Sequence, residues 1–176
     1  SAVVAWAADT MSADALVWVG RRTAYLGRYR DAIDLFSVGV ERFPDDPRFL
    51  RHRGHRFITV REFDRALDDL TRAAHMINGQ PDGVEPDGLP NSRNTPTSTL
   101  NSNIWYHLGL AHYLKGDFEL ALAAYQQEAA VANNPDMLVA TSWWRYLTLR
   151  RLGRPLEAES LLVPISAEMD IIENQS

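Results

Sequence analysis

The stretch Trp105-Tyr106-His107-Leu108-Gly109-Leu110-Ala111-His112-Tyr113-Leu114-Lys115-Gly116-Asp117-Phe118-Glu119-Leu120-Ala121-Leu122-Ala123-Ala124-Tyr125 decides the architecture. Its first half sets Trp105, Leu108, Gly109 and His112 at helical spacing, one packing stripe along one helix. Its second half, Ala121-Leu122-Ala123-Ala124-Tyr125, reads as another helix, with small alanines that permit close approach and an aromatic to fill the space above. Between them Lys115-Gly116-Asp117-Phe118 needs a left-handed turn residue, which glycine supplies without steric cost. A glycine in mid-helix costs about 1 kcal/mol relative to alanine. Gly109 therefore predicts a helix passing very close.

Working outward, the same offsets recur. Gly20 is followed by Tyr29, Ala32 and Phe36; Gly54 by Phe63, Ala66 and Leu70; Gly109 by Phe118, Ala121 and Tyr125. A weaker copy starts at Tyr146 and places Pro155, Ala158 and Leu162 in those slots. At the turn stand Gly27, Arg61, Gly116 and Gly153. Helix stops are expected at Pro44 and Pro47 and at Asn133-Asn134-Pro135. Each unit is thus a pair of helices.

The spacing resembles the tetratricopeptide repeat family, whose pattern is W-x2-L-G-x2-Y followed by Ala, Phe, Ala and a closing Pro. Trp105-x2-Leu108-Gly109 matches the opening literally, and Leu16-x2-Val19-Gly20 matches it conservatively. Departures are His112 in the tyrosine slot, Arg53 where an apolar residue is usual, and no mid-helix glycine in the fourth unit. The resemblance covers about residues 13–78 and 102–168. It implies an all-α, right-handed α-solenoid of helix-turn-helix repeats whose first helices line a concave face. The expected division is a single domain over 1–176: an extension at 1–12, repeats at 13–46 and 47–78, an insertion at 79–101, a repeat at 102–135, a degenerate repeat at 136–169 and a tail at 170–176.

Composition narrows the function classes. With 176 residues the chain has the size of one domain. It has no cysteine, which removes disulfides, thiolate zinc sites and cysteine nucleophiles. No apolar run approaches the roughly 20 residues of a membrane-spanning helix. A net charge of −5 argues against nucleic acid as the partner. Seventeen of the eighteen basic residues are arginine, Lys115 being the exception. Arginine's planar fork suits carboxylates and stacks on rings. A chain that opens without methionine fits an exported, processed protein and a trimmed cytoplasmic one equally well.

The segment 79–101 breaks the period. Gln80 to Pro90 holds three prolines and two glycines, so no helix runs through it. Two readings compete: a solvated insertion, or a strap over the binding face anchored by Val84, Leu89 and Leu100. Asn101-Ser102 is expected to cap the helix that follows. Residues 2–8 are expected to contribute to an extra helix over the first repeat. Met169-Asp170-Ile171-Ile172 is apolar and is expected to be covered by further chain or by a partner.

No nucleophile elbow, phosphate-binding loop, dinucleotide fingerprint or His-Glu-x-x-His motif is present. His52, His55, His75, His107 and His112 read as surface or packed histidines, and no metal or other cofactor is expected. Asp45-Asp46 and Asp68-Asp69 read as solvated charge. From Arg48 to Arg61 there are five arginines, two histidines and no acid. Such a run repels itself and must be offset. The offset is either acids on adjacent helices, such as Asp31, Asp34 and Glu62, or an anionic ligand.

Helical phase points Val17, Arg21 and Tyr25 inward from the first unit, and Arg48, Arg51 and His55 from the second. It selects Asn103, Tyr106, Leu110 and Tyr113 from the third, then Trp143, Leu147 and Arg150 from the fourth. The expected peptide-binding set is therefore Arg21, Arg48, Arg51, His55, Asn103, Tyr106, Tyr113, Trp143 and Arg150. It is arginine-rich at one end and aromatic at the other, which suits a peptide bearing an acidic residue and an apolar anchor. The family's carboxylate-clamp members use lysine and asparagine at inner positions, and only Asn103 matches, so the resemblance does not extend to a chaperone tail. The leading expectation is a non-enzymatic protein–protein interaction scaffold. Alternatives are a self-assembly module stacking through its ends, and a metal or small-ligand site built on His52, His55, His107 and the insertion.

Overall fold

The computed structural model describes residues 10–86 and 90–173. Among these, every regular element is an α-helix: α1 (Ala13–Tyr25), α2 (Tyr29–Arg42), α3 (Pro47–Thr59), α4 (Phe63–Met76), α5 (Leu100–Lys115), α6 (Phe118–Val131), α7 (Pro135–Arg151) and α8 (Pro155–Ser160). The chain divides into two compact units between Pro81 and Asp82. The expected extra helix at residues 2–8 lies outside the described residues.

In the first unit α1 packs on α2, α2 on α3 and α3 on α4, and α1 also touches α3. Leu16, Leu35, Phe36 and Phe49 are fully buried together with Ala32, and each large side chain contributes on the order of 2 kcal/mol by leaving water. Val17 joins this core and does not face inward to a groove as its phase implied. The recurrent glycine has the physical cause expected of it. A Cβ on Gly20 would collide with the ring of Phe36, and one on Gly54 would lie 2.7 Å from Leu70. The sixteen-residue offset therefore joins the bare point of one helix to the bulky residue of the next.

Local chemistry fixes the helix ends. Ser12 caps α1 by accepting from the Ala15 N–H, and Asp46 caps α3 by accepting from the Arg48 N–H, with Pro47 in the first turn. Pro44 follows the end of α2, whereas Pro47 opens the next helix. The left-handed turn falls where expected, and at Arg61 (φ 62°) an ordinary residue bears the strain that glycine avoids.

The arginine-rich helix α3 is offset by acids other than those anticipated. Asp31 pairs with Arg28, and Glu62 with Arg30 and Arg65. Arg48 is held instead by Asp46 and Asp14. Arg53, the departure from the apolar pattern, makes a two-pronged bond to the buried Asp69 at 2.7 and 2.8 Å, and a third bond to Ser37. Asp69 is thus a structural ion partner, not solvated charge.

In the second unit α5 packs on α6, α6 on α7 and α7 on α8. A Cβ on Gly109 would sit 2.6 Å from the Tyr125 ring, the same device again. The cap of α5 is Thr99, in a reciprocal box with Ser102, so the helix starts before the expected Asn101-Ser102. Asn134 caps α7, making Asn133-Asn134-Pro135 a helix start more than a stop. The short α8 buries Ala158 against Leu122 and Leu149.

Polar bonds hold the insertion. The Glu85 N–H donates to Ser98 and the Leu100 N–H to Gly83, forming a minimal antiparallel bridge between Val84 and Thr99. Val84 is 66% exposed and anchors nothing; Leu89 lies outside the described residues. The C-terminal segment folds onto the same loop. Arg93 grips Asp170 with two 2.7 Å bonds, and Glu173 accepts from Asn91 and Thr97. Asp136 accepts the backbone N–H groups of Ile172 and Glu173. Ile171 and Ile172 are consequently half-buried within their own unit.

Candidate functional site

Each unit carries a hollow between its first helices. In the first unit a cleft of about 90 Å³ opens between α1 and α3, floored by Phe36 of α2. Arg21 and Tyr25 reach it from α1; Arg51, His52, His55 and Arg56 reach it from α3. The α3 residues recur at three- and four-residue steps, which is why one helix face delivers them all. Arg51 donates to Nδ1 of His52 at 2.9 Å, and because guanidinium has no acceptor, that nitrogen is unprotonated. The His52 ring stacks on Phe36 with centroids 5.4 Å apart. Arg21 lies over the Trp18 ring at 4.6 Å. Burial, followed by the neighbouring Arg51 charge, lowers the pKa of Arg56 to about 10. Among the described residues lining this cleft none is a carboxylate.

Arg48 stands apart from it. Its guanidinium bonds to Asp46 and Asp14, which hold its pKa above the ordinary value despite partial burial. Its charge is committed to the start of α3.

The second unit encloses a larger cavity of about 510 Å³. Asn103 and Tyr106 line it from α5, and Met137, Ala140, Trp143 and Trp144 from α7. The insertion adds Thr97 and Ser98. Asn103 donates to Ser98 and to the buried Glu85, at 2.9 and 3.2 Å. Tyr106 meets Trp144 edge-on at 6.1 Å, and burial raises its pKa. Trp143 is half-exposed and stacks on Tyr146. Two expected members lie elsewhere. Tyr113 packs edge-on between Phe118 and Trp144, and Arg150 donates to the Tyr146 hydroxyl at the surface.

Pattern reading missed three acids on this wall: Glu128, Asp136 and Glu173. Glu128 is 4% exposed and accepts a 3.2 Å bond from Thr141. Burial raises its pKa to about 8, against the opposing pull of that bond. A signal was available. Glu128 continues the stripe of Ala121 and Tyr125 at helical spacing, so a carboxylate stood on an apolar face. Tyr125 itself is fully buried with an unpartnered hydroxyl, and its pKa is raised by burial.

Among the described residues no three metal-ligating side chains converge. His52 and His55 belong to the first unit and His107, bonded to the Asn103 carbonyl, to the second. No described helix is long and apolar enough to cross a membrane.

Residues 99–137 match the family model described as the tetratricopeptide repeat. No curated protein matches the chain. Among solved structures, two of MamA superpose with TM-scores of 0.66 and 0.67 at 18% and 19% identity. They cover 86% and 88% of this chain and 69% and 76% of theirs. The first tetratricopeptide domain of Spaghetti (RPAP3), bound to the HSP90 peptide SRMEEVD, superposes with a TM-score of 0.64 at 16% identity, over 82% of this chain and 96% of that one. At such identities the likeness is one of fold, an all-α repeat solenoid. Residues 99–137 thus match a tetratricopeptide repeat, and the glycine-to-bulky-residue contacts at one offset, the paired helices and the shared fold make the chain similar to tetratricopeptide solenoids.

Proposed function

We propose that the protein is a non-enzymatic interaction scaffold, and that the first unit holds an acidic side chain of a peptide partner in the cleft between α1 and α3. The observation that carries this reading is the convergence of Arg21, Arg51 and Arg56, with His52 and His55, on one hollow. The lowered pKa of Arg56 has the same origin, since a buried cation beside another cation is stabilised by an arriving anion. Arginine binds carboxylate through two parallel bonds, which supplies geometry as well as charge. A related fold, that of RPAP3, holds a peptide rich in acidic residues. Rigid helices present the donors already placed, so little ordering entropy is lost on binding.

The test is a titration with an acidic heptapeptide and its Asn/Gln counterpart. The acidic peptide should bind with an affinity that falls as salt rises, and the amide version should bind at least about tenfold more weakly. Arg51→Glu and Arg56→Gln should each weaken binding while circular dichroism shows unchanged helix content. Equal binding of both peptides would refute the assignment.

A further inference from the structure

The second unit's cavity has the opposite chemistry from the cleft of the first, and that contrast identifies its occupant. Among the described residues its lining includes three carboxyl groups, those of Glu128, Asp136 and Glu173, and no lysine, arginine or histidine. Two of these acids are engaged by the fold: Asp136 by backbone N–H groups and Glu173 by Asn91 and Thr97. Glu128 differs, because it is almost wholly buried and the bond it accepts from Thr141 is long, at 3.2 Å. Tyr106, Trp143 and Trp144 line the same cavity. Aromatic walls together with a buried carboxyl form an arrangement that attracts a cation through ring quadrupoles and a charge-assisted bond. The polar mouth, formed by Asn103, Ser98 and Thr97, offers partners to peptide groups beside such a cation.

We infer that this cavity receives the side chain of a lysine or arginine from a peptide partner, its alkyl stem against Met137 and Trp143 and its charged end at Glu128. The volume of about 510 Å³ admits such a side chain with its flanking backbone. This goes beyond the acidic-residue reading, concerns the other unit and stands or falls separately from it.

Proton linkage gives the inference a distinctive signature. Tyr125 on its own helix and Tyr106 on α5 interact with Glu128, Thr141 on α7 donates to it, and Asp136 on α7 and Glu173 of the C-terminal segment line the same cavity. None of these is a cation, so an empty cavity favours the protonated carboxyl. An entering ammonium ion favours the carboxylate and expels that proton. Binding therefore strengthens as pH rises through the titration of Glu128 near 8 and levels off above it.

The experiment follows the indole resonances of Trp143 and Trp144 during titration with Nα-acetyl-lysine N-methylamide. Controls are the norleucine derivative, which lacks the charge, and n-butylammonium, which lacks the peptide groups. Saturable shifts are expected with the lysine probe, with affinity about tenfold or more above that of norleucine. Calorimetry should record proton release at neutral pH. Glu128→Gln, which preserves shape, should abolish both the preference and the proton release, whereas Arg51→Glu in the first unit should change neither. Equal binding of the norleucine probe, or unchanged lysine binding by Glu128→Gln, would overturn the inference. Equal affinity for n-butylammonium would overturn the peptide source in favour of a free amine.

Discussion

Helix α3 of the first unit and helix α7 of the second both face a hollow, yet they furnish it differently. Among the described lining residues, α3 gives Arg51, His52, His55 and Arg56 to a hollow with no acid, and α7 gives two tryptophans, a methionine and Asp136 to one with no cation. The core polar groups follow the same division. The first unit buries a paired charge, Arg53 with Asp69, and the second buries a carboxyl, Glu128, held neutral at ordinary pH. One repeat plan thus tolerates buried polarity by two routes, ion pairing and protonation. The two routes respond differently to mutation and to pH.

The largest effect should come from breaking the pair. Asp69→Ala leaves Arg53 buried without its partner and should lower stability by about 3 kcal/mol or more, read by chemical denaturation. The matching change at Asp46, which removes the cap of α3 together with its pairing to the more exposed Arg48, should cost less, about 1 to 2 kcal/mol.

The second unit should instead reveal itself through pH. The folded pKa of Glu128 is raised from 4.5 to about 8, so between those values the native state holds a proton that the unfolded chain has lost. Stability should therefore fall with rising pH across that window, by roughly 5 kcal/mol through this group, and the loss should cease above it. Glu128→Gln should remove the slope. Hydrogen exchange of α6 and α7 amides, followed from about pH 5 to about 8, measures this directly.

Gly109→Ala forces a methyl group into the Tyr125 ring and should cost roughly 2 kcal/mol. The same substitution at Gly54, which meets the more deformable Leu70, should cost less. Comparing the two melting temperatures tests whether the nest is rigid when its occupant is a ring.

The smallest expected effect is a gain. Arg61 occupies the left-handed position that Gly27, Gly116 and Gly153 hold in the other turns. Arg61→Gly should stabilise by up to about 1 kcal/mol, seen as a modest rise in melting temperature.

The fold was legible because its signal is geometric. A glycine and a bulky residue sixteen positions on can rest together only if two helices pack face to face, so the offset encodes the contact. Helical phase likewise brought Arg21, Arg51 and His55 to one cleft and Asn103, Tyr106 and Trp143 to one cavity. Phase alone missed what neighbours do. Arg48 shares its face with Arg51, but Asp14 and Asp46 claim it, and Asp14 is remote in sequence. Tyr113 has the right phase, yet Trp144 and Phe118 enclose it. Asp69 and Glu128 were passed over because acids read as surface. Their positions on apolar stripes are where a buried role could have been seen.

The contrast between the hollows is tested most directly by titrating one isotope-labelled sample first with an acidic heptapeptide and then with its lysine-substituted counterpart. The acidic peptide should shift amides of α1 and α3, and the basic peptide those of α5 and α7 together with the indoles of Trp143 and Trp144. Both peptides perturbing the same helices, or neither producing saturable shifts, would contradict the account.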